Sequence, residues 1–221
     1  MRVIKANSIA QAHDKAVSAV FMYHDTITTE DGEISFESEP LTLVIPKNNP
    51  NNRISKFSPF RKAFMDEYTK CVLHGSVNEF EYDYHQRLFG YAGINQIQTM
   101  IDKIKAAPTT RRAVAITWQP AIDNFVKDVP CLQLITGRLR TRDGVRYFDM
   151  EVVFRSNDVL MAMGSNMYAL VALQEYIAEA LGVSAGCYTH VMLCPHIYFV
   201  RDETNLVKFL EGIDGTAVSR R

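Results

Sequence analysis

The 221-residue sequence lacks the features that mark several special classes of protein. Its four cysteines are too few for a secreted disulfide scaffold and lack the paired close spacing of a zinc site: Cys71, Cys131, Cys187 and Cys194. No apolar run reaches the ~18 residues of a membrane span, and the N-terminus has no apolar core before a small-residue cleavage site. We therefore expect a cytoplasmic protein with free thiols and no bound metal.

Neither sign of charge is in excess, because 24 Lys and Arg residues balance 25 Asp and Glu residues. No overall field favours nucleic acid or an anionic membrane, so any anion site must be local. The apolar share of 47% is that of an ordinary globular protein, and the length fits one core, since single cores grow to roughly 250 residues. We expect one domain over residues 1–221, with 212–221 as a loose tail.

The first hundred residues predict helices around one short strand. Ser8 can cap a helix whose apolar residues recur at helical spacing, and LTLVIP reads as a strand. The segment KNNPNNRISKFSP, rich in Asn, Pro and Ser, indicates a loop. Helices are then expected from Phe60 to Leu73, ending at Gly75, and around Ile94–Ile104, ending before Pro108.

The second half predicts most of the sheet. AVAITW, LQLITGRLR and YFDMEVVF have strand composition, and Arg142-Asp143-Gly144 suits a tight hairpin between the last two. A helix from Met167 to Leu181 ends at Gly182, and CYTHVMLCPHIYF is extended. With no repeats and no linker, we expect an α+β fold in which helices pack around one large mixed sheet.

Cys131 and three arginines stand at structural boundaries where side chains can reach a cleft. An unpaired cysteine is usually a small buried hydrophobe, but cations near Cys131 would raise its ionised share above the few per cent expected for a pKa near ~8.5. Arg155 ends an apolar strand and precedes Ser156, a donor pair suited to phosphate. Arg111 and Arg112 fit either an anion clamp or a solvated loop.

Several other polar residues allow both a structural and a functional interpretation. Asn166 can cap the helix that follows it or bind a ligand. His196 and Tyr198 alternate with an isoleucine and so share one face of a strand. Glu67 and Asp66 lie in a helix, where an inward carboxylate would have a raised pKa suited to proton transfer, and either could equally be solvated.

Five motifs, in order and spacing, resemble the thymidylate synthase family, which includes the pyrimidine-nucleotide hydroxymethylases. They are TRRAVAITW, VPCLQ, FRSND, GSNMYALVALQEYIAEALG and THVMLCPHIYF. The resemblance is close over Thr110–Phe199 and loose before it, and the short length is similar to archaeal-type or viral members. It implies that the large sheet forms the interface of a homodimer.

The resemblance implies a chemistry and a role for each boundary residue. Cys131 would add to C6 of dUMP, so that C5 can attack the methylene group of 5,10-methylene-tetrahydrofolate or methylene-tetrahydromethanopterin. Arg155 and Ser156 would bind the phosphate, and Arg111 and Arg112 would reach across a twofold axis into the partner's site.

The remaining roles follow from the same motifs. Asn166 would read the pyrimidine edge and favour dUMP over dCMP, and His196 and Tyr198 would bind the deoxyribose hydroxyl. Asp158 would bind the pterin ring, and Tyr84 would help to remove the C5 proton. Glu67 would be the catalytic glutamate, with Asp66 as the alternative, because the helix EYTKCVLHG needs a one-residue slip to match the family.

Departures from the family pattern leave the product open. Leu132 replaces a histidine, Phe154 a glutamine and His85 a glycine, while the only tryptophan, Trp118, is expected in a strand instead of beside the cofactor. The C-terminal tail does not match the segment that closes over the cofactor. Hydride transfer would give dTMP, whereas water would give a 5-hydroxymethyl nucleotide from dUMP, dCMP or CMP. A non-catalytic nucleotide-binding dimer is a further alternative, and nothing in the charge pattern supports RNA binding.

Overall fold

Two mixed β-sheets with helices around them form the part of the chain that the computed structural model describes, residues 1–46, 51–75 and 83–214. The strands are β1 (Arg2–Lys5), β2 (Asp25–Thr28), β3 (Ile34–Glu37), β4 (Leu41–Ile45), β5 (Val114–Ile116), β6 (Leu132–Arg142), β7 (Val145–Phe154), β8 (Asn157–Asp158), β9 (Ser184–Met192) and β10 (Pro195–Tyr198). The α-helices are α1 (Ile9–Met22), α2 (Lys62–His74), α3 (Gln96–Ala106), α4 (Pro120–Asp123), α5 (Met163–Ala180) and α6 (Phe199–Asp214), and a π-helix spans Gln86–Gly90.

Local sequence signals account for two well-defined boundaries. The hydroxyl of Ser8 accepts a hydrogen bond from the N–H of Gln11 at 3.2 Å, which confirms it as the cap of α1. Between β6 and β7, Asp143 and Gly144 have φ angles of 50° and 76°, as a tight hairpin turn of matching twist requires. The two longest strands are therefore paired by a turn that the sequence predicts.

The larger sheet has the strand order β1-β4-β9-β7-β6-β5, and both parallel and antiparallel pairs occur in it. Helices α1, α3 and α5 pack against it over one contiguous apolar core. The expectation of one sheet was incomplete, because β2, β3, β10 and β8 form a second sheet of four strands. The chain is thus a single-domain α+β protein with two mixed sheets.

The face of the larger sheet opposite these helices is only partly buried. Two in-register rows of side chains cross five strands on this open face. One row contains Val44, Thr189, Glu151, Thr136 and Val114, and the other contains Thr42, Val191, Val153, Leu134 and Ile116. All ten residues are half-buried or exposed, so no described element covers this open face.

Three expectations about element boundaries were wrong. Helix α5 begins at Met163, so Asn166 lies inside the helix and does not cap it. Helix α6 continues to Asp214, so residues 212–214 are not part of a loose tail, and residues 215–221 lie outside the described chain. Trp118 lies two residues beyond the end of β5 and not within a strand. Among the described residues, no helix is both long and apolar enough to cross a membrane.

Two histidines are buried in the core in their neutral form. His13 contacts the carbonyl of Val159 at 2.9 Å, and burial lowers its pKa to about 4. Burial lowers the pKa of His190 to about 3. The His190 ring stacks on Phe154 at 4.6 Å between centroids, and it lies between the Tyr188 hydroxyl at 2.9 Å and the Asn157 amide oxygen at 2.8 Å. The amide oxygen can only accept, so Nε2 of His190 carries the proton and Nδ1 accepts from Tyr188.

These histidines make the fold sensitive to acid. In the unfolded chain each histidine has a pKa near ~6.5. Below that pH the unfolded state therefore binds protons that the folded state does not bind. Their contribution to stability is complete above pH ~6.5 and falls by roughly 2 kcal/mol per histidine on going to pH 5. Urea unfolding of wild type at pH 7 and pH 5 should show this loss. His190→Gln should reduce the loss by about half, whereas His74→Gln, at an exposed position, should leave it unchanged.

Candidate functional site

Cys131 lies in a bend directly before β6, and Arg155 from the end of β7 fixes that bend. The backbone N–H of Arg155 donates to the carbonyl of Cys131 at 2.9 Å. Its guanidinium donates from Nε to the carbonyl of Pro130 at 3.0 Å and from Nη2 to that of Val129 at 2.9 Å. Nη2 also lies 3.9 Å from Sγ of Cys131. A fixed cation at this distance favours the thiolate form of a cysteine.

Tyr84 lies on the other side of the same bend. Its hydroxyl oxygen accepts a hydrogen bond from the N–H of Leu132 at 3.1 Å. The π-helix that follows Tyr84 is anchored by Arg87, whose guanidinium binds Asp123 at 2.7 Å with both side chains almost fully buried. Since Asp123 belongs to the connection that leads from β5 to Cys131, the segment of Tyr84 and the segment of the cysteine are joined by a buried ion pair.

A small cavity opens beside Leu132 and Tyr84. The residues that line it come from α2, the segment before the π-helix, β6, β7 and α5, and they are Tyr68, Val72, Tyr84, Leu132, Phe154, Asn166, Ala169 and Leu170. Asn166 is 7% exposed and lies one turn into α5. The cavity therefore combines an apolar wall with three polar side chains, an arrangement that suits a small ring with a few hydrogen-bonding groups.

Ser156 and β10 continue the site next to Arg155. The Ser156 hydroxyl lies 3.2 Å from Nδ1 of the buried His196, whose ring meets that of Tyr198 edge-on at 4.9 Å. Burial raises the pKa of Tyr198, Arg201 opposes this effect, and the nearby charges of Asp158, Glu33 and Cys131 add to it.

The neighbouring cysteine is chemically unlike Cys131. Cys194 donates from sulfur to the carboxylate of Glu37 at 3.5 Å. Burial, followed by the charge of Glu37, raises the pKa of Cys194 to about 11. Cys194 therefore remains a neutral thiol at physiological pH and does not compete with Cys131 as a nucleophile.

Asp158 lies at the outer end of the same group of residues. Its Oδ1 accepts hydrogen bonds from the backbone N–H groups of Leu160 at 3.1 Å and Met161 at 2.9 Å. Its Oδ2 accepts from Nη2 of Arg201 at 3.0 Å. Burial raises the pKa of Asp158, while His196 and Arg201 lower it.

The structure does not bring the two candidate carboxylates of α2 to the cavity. Glu67 has a side chain 69% exposed and pairs with Lys70 at 3.2 Å. Asp66 binds Lys62 at 2.5 Å and the Tyr168 hydroxyl at 2.9 Å, and these hydrogen bonds lower its pKa. Neither carboxylate therefore lies among the residues that line the cavity.

Sequence reasoning missed Tyr68, the polar residue that α2 does place in the cavity. Met65 is buried, and Tyr68 and Val72 line the cavity, so the three residues share one face of the helix. The spacing of three and four residues between Met65, Tyr68 and Val72 is typical of one helix face, and it could have identified Tyr68 from the sequence.

Arg111 and Arg112 lie far from Cys131 within one chain. Both are exposed and precede β5, which pairs antiparallel with β6, Val114 opposite Thr136. The chain before Val114 therefore runs away from Cys131 along β6. At about 3.3 Å per residue, the separation is roughly 20 Å. These two arginines cannot join the Cys131 site of their own protomer.

This arrangement supplies the parts of a nucleophilic site for an anionic ring compound. It contains a cysteine beside a fixed guanidinium, a hydroxyl and imidazole pair, and an amide in a mostly apolar cavity. No cluster of His, Cys, Asp and Glu side chains suited to a metal ion occurs within the described ranges.

Comparison with known proteins assigns the class of protein. The family model described as thymidylate synthase matches residues 52–210. A protein of Methanocaldococcus jannaschii is 40% identical over 219 residues, which cover 95% of this chain and 96% of that protein. A protein of Methanosarcina mazei is 35% identical over 199 residues, or 89% of each chain. Both carry a provisional name as thymidylate synthase. The chain belongs to the thymidylate synthase family, and the resemblance found in its sequence is confirmed.

Proposed function

We propose that this protein transfers a one-carbon unit to C5 of dUMP and releases dTMP, with Cys131 as the nucleophile. The observation that carries the proposal is the position of Cys131 Sγ, 3.9 Å from the Arg155 guanidinium. Tyr84, which lines the adjoining cavity together with Asn166, holds the next residue of the bend. The family supports one-carbon transfer in general terms, and the substrate and product are the specific part of the proposal.

The thiolate of Cys131 adds to C6 of the pyrimidine, and the electron pair of the C5–C6 bond moves toward O4. The resulting enolate makes C5 nucleophilic, which an ordinary uracil C5 is not. C5 then attacks the methylene carbon of the carrier, and the bond from that carbon to one nitrogen of the carrier breaks. Loss of the C5 proton and cleavage of the remaining carbon–nitrogen bond would leave a methylene group on C5. Addition of hydride to this group would expel the thiolate, restore the ring as dTMP and free Cys131. Hydrogen-bond donors near O4 stabilise the enolate more than the ground state and so accelerate the first step.

Each part of dUMP has a proposed partner. The Asn166 amide can accept from N3–H and donate to O4, a pattern that fits uracil. The phosphate would accept hydrogen bonds from N–H groups of Arg155 and from the hydroxyl of Ser156. The deoxyribose hydroxyl binds His196 and Tyr198. Tyr84 is placed to help to remove the C5 proton, because its hydroxyl lies next to the Cys131 bend.

Asp158 is proposed to bind the pterin ring of the one-carbon carrier. Its Oδ2 already accepts one hydrogen bond and retains a lone pair that can accept another from an N–H group of the ring. The carrier, methylene-tetrahydrofolate or methylene-tetrahydromethanopterin, supplies the methylene group and, for dTMP, the hydride. Only the product distinguishes this activity from a 5-hydroxymethylase, in which water replaces hydride.

We also propose a homodimer built on the open face of the larger sheet. That face mixes apolar and polar side chains in two aligned rows, and Oε2 of Glu151 within it is buried without a hydrogen-bond partner among the described residues. A second copy would cover the rows and could supply the missing donor. Arg111 and Arg112, which lie far from their own Cys131, would then reach the partner's phosphate site. The four free thiols fit a cytoplasmic protein.

The decisive experiment uses dUMP and its 5-fluoro analogue with each carrier. Fluorine cannot leave as a proton does, so 5-fluoro-dUMP and carrier should form a covalent adduct that peptide mass mapping places on Cys131. Unmodified dUMP should give a product with the mass of dTMP. A product heavier by one oxygen supports the hydroxymethylase instead, and the absence of both adduct and product supports a non-catalytic nucleotide-binding dimer.

Tyr68, and not Glu67, should be the α2 side chain that matters for turnover. Tyr68→Phe removes the only hydroxyl that this helix places in the cavity, so tritium release from C5 of dUMP should slow by about a hundred- to a thousandfold, as for loss of one stabilising donor. Glu67→Gln is the matched control on the adjacent residue and should retain wild-type release. Slow tritium release by Glu67→Gln, together with wild-type release by Tyr68→Phe, would instead support Glu67 as the catalytic residue.

Mixed dimers should test the sharing of arginines between sites. Arg111→Ala should weaken dUMP binding, and Cys131→Ala should abolish turnover. When the two variants are mixed and their dimers exchange, one site per mixed dimer regains both groups, so partial activity should return. Mass spectrometry of labelled subunits verifies the exchange. Exchanged dimers that remain inactive would contradict the shared site.

A further inference from the structure

Arg201, near the start of α6, joins groups from several elements at the outer end of the site. Nη2 binds Asp158 Oδ2 at 3.0 Å, and Nε and Nη2 bind Asp202 Oδ2 at 3.0 and 2.7 Å. Nη1 lies 4.0 Å from the carboxylate of Glu33. The guanidinium carbon also lies 4.1 Å from the centroid of the Tyr198 ring. One cation thus contacts both the proposed pterin-binding aspartate and the proposed deoxyribose-binding tyrosine.

We infer that Arg201 is a positioning residue that holds Asp158 as an ionised acceptor for the carrier and holds the Tyr198 ring toward the nucleotide. The inference rests on the proposed function, because it takes Asp158 and Tyr198 as ligands of the two substrates. None of the sequence motifs pointed to Arg201.

Arg201 favours the charged form of Asp158. A protonated carboxyl donates a hydrogen bond, whereas the N–H groups of a pterin ring need an acceptor. The Asp158 side chain is only 11% exposed, and burial raises its pKa toward the protonated form. Asp202 acts in the same direction, while the backbone N–H of Met161, His196 and Arg201 oppose it. Arg201 is the permanently charged group of this set, so its loss would favour the protonated carboxyl.

Arg201 also orients the side chains of Asp158 and Tyr198. The two backbone N–H groups that bind Oδ1 of Asp158 fix one oxygen, and Arg201 fixes the other. The same guanidinium lies over one face of Tyr198, while His196 meets the tyrosine ring edge-on. A cation–π contact of this kind is attractive and restricts the half-buried ring. Asp158 and Tyr198 therefore share one support.

Kinetics across pH can separate positioning of a charge from a general structural role. In Arg201→Gln, the KM for the carrier should rise severalfold at pH 6 and much less at pH 8.5, because a higher Asp158 pKa leaves less carboxylate at low pH. Arg201→Lys, which keeps the charge, should recover most of the loss. Glu33→Gln removes only the most distant partner and should behave as wild type. A rise in KM that is equal at all pH values, or equal effects of Gln and Lys, would overturn the inference.

A double variant and a direct titration complete the test. In the Asp158→Asn background there is no carboxylate to hold, so Arg201→Gln should add no pH dependence. The Asp158 carboxyl can also be titrated by ¹³C NMR in the protein without substrates, its signal identified by its loss in Asp158→Asn. Arg201→Gln should raise that pKa, and Glu33→Gln should not. If wild type forms no product, the proposed function fails, and the titration still decides the claim about Arg201: an unchanged Asp158 pKa refutes it.

Discussion

The buried ion pair of Arg87 and Asp123 is the interaction on which the geometry of the site depends. Both charges are removed from water, so their attraction must offset a large desolvation cost, and loss of one partner would leave the other uncompensated at a cost of about 3–5 kcal/mol. The N–H of Gln119 also donates to Asp123 at 2.5 Å, and Gln96 joins the carbonyl of Arg87 to the edge strand β5. The connection that ends at Cys131 is thereby fastened to the segment that carries Tyr84.

Such a pair is weak evidence for overall stability but strong evidence for a fixed register between two segments. A π-helix is an irregular element that proteins often retain at functional sites, and here it presents Arg87 to Asp123 directly after Tyr84. Arg155 completes the arrangement from the opposite side, because it binds the two carbonyls that precede Cys131. Cys131 is therefore held from two sides by charged side chains, the buried pair of Arg87 and Asp123 and the guanidinium of Arg155.

The parts of the fold that the sequence predicts are those determined by neighbours in the chain. The Ser8 cap, the turn at Asp143-Gly144 and the period of α3 each depend on a few consecutive residues, and each is confirmed. The division into two sheets depends on pairings between distant segments, such as β1 with β4 and β3 with β10, which no local pattern encodes. The start of α5 was misplaced because Asn166 has a capping residue's chemistry, while the helix actually begins without a side-chain cap.

The same division applies to the candidate site. Cys131 and Arg155 adjoin the facing ends of β6 and β7, so the predicted hairpin brings them together. The sequence grouped Ser156, His196 and Tyr198 with them only through the family resemblance, because the pairing of β8 with β10 is long-range. The side chains of Glu67 and Tyr68 point in directions about 100° apart around the axis of α2. Glu67 is exposed and Tyr68 lines the cavity, so an error of one residue in matching this helix selects the wrong side chain. Arg201 could not be found from its sequence position, because its importance comes from contacts with three separate elements.

The hydrogen-bonded chain of Tyr188, His190 and Asn157 runs behind the cavity wall formed by Phe154. Every proton in it points the same way, from hydroxyl to imidazole to amide oxygen, and the amide oxygen has no proton to pass on. This chain therefore cannot relay a proton between the cavity and the core behind Phe154. A proton gained or lost at the cavity has to pass through one of its other walls.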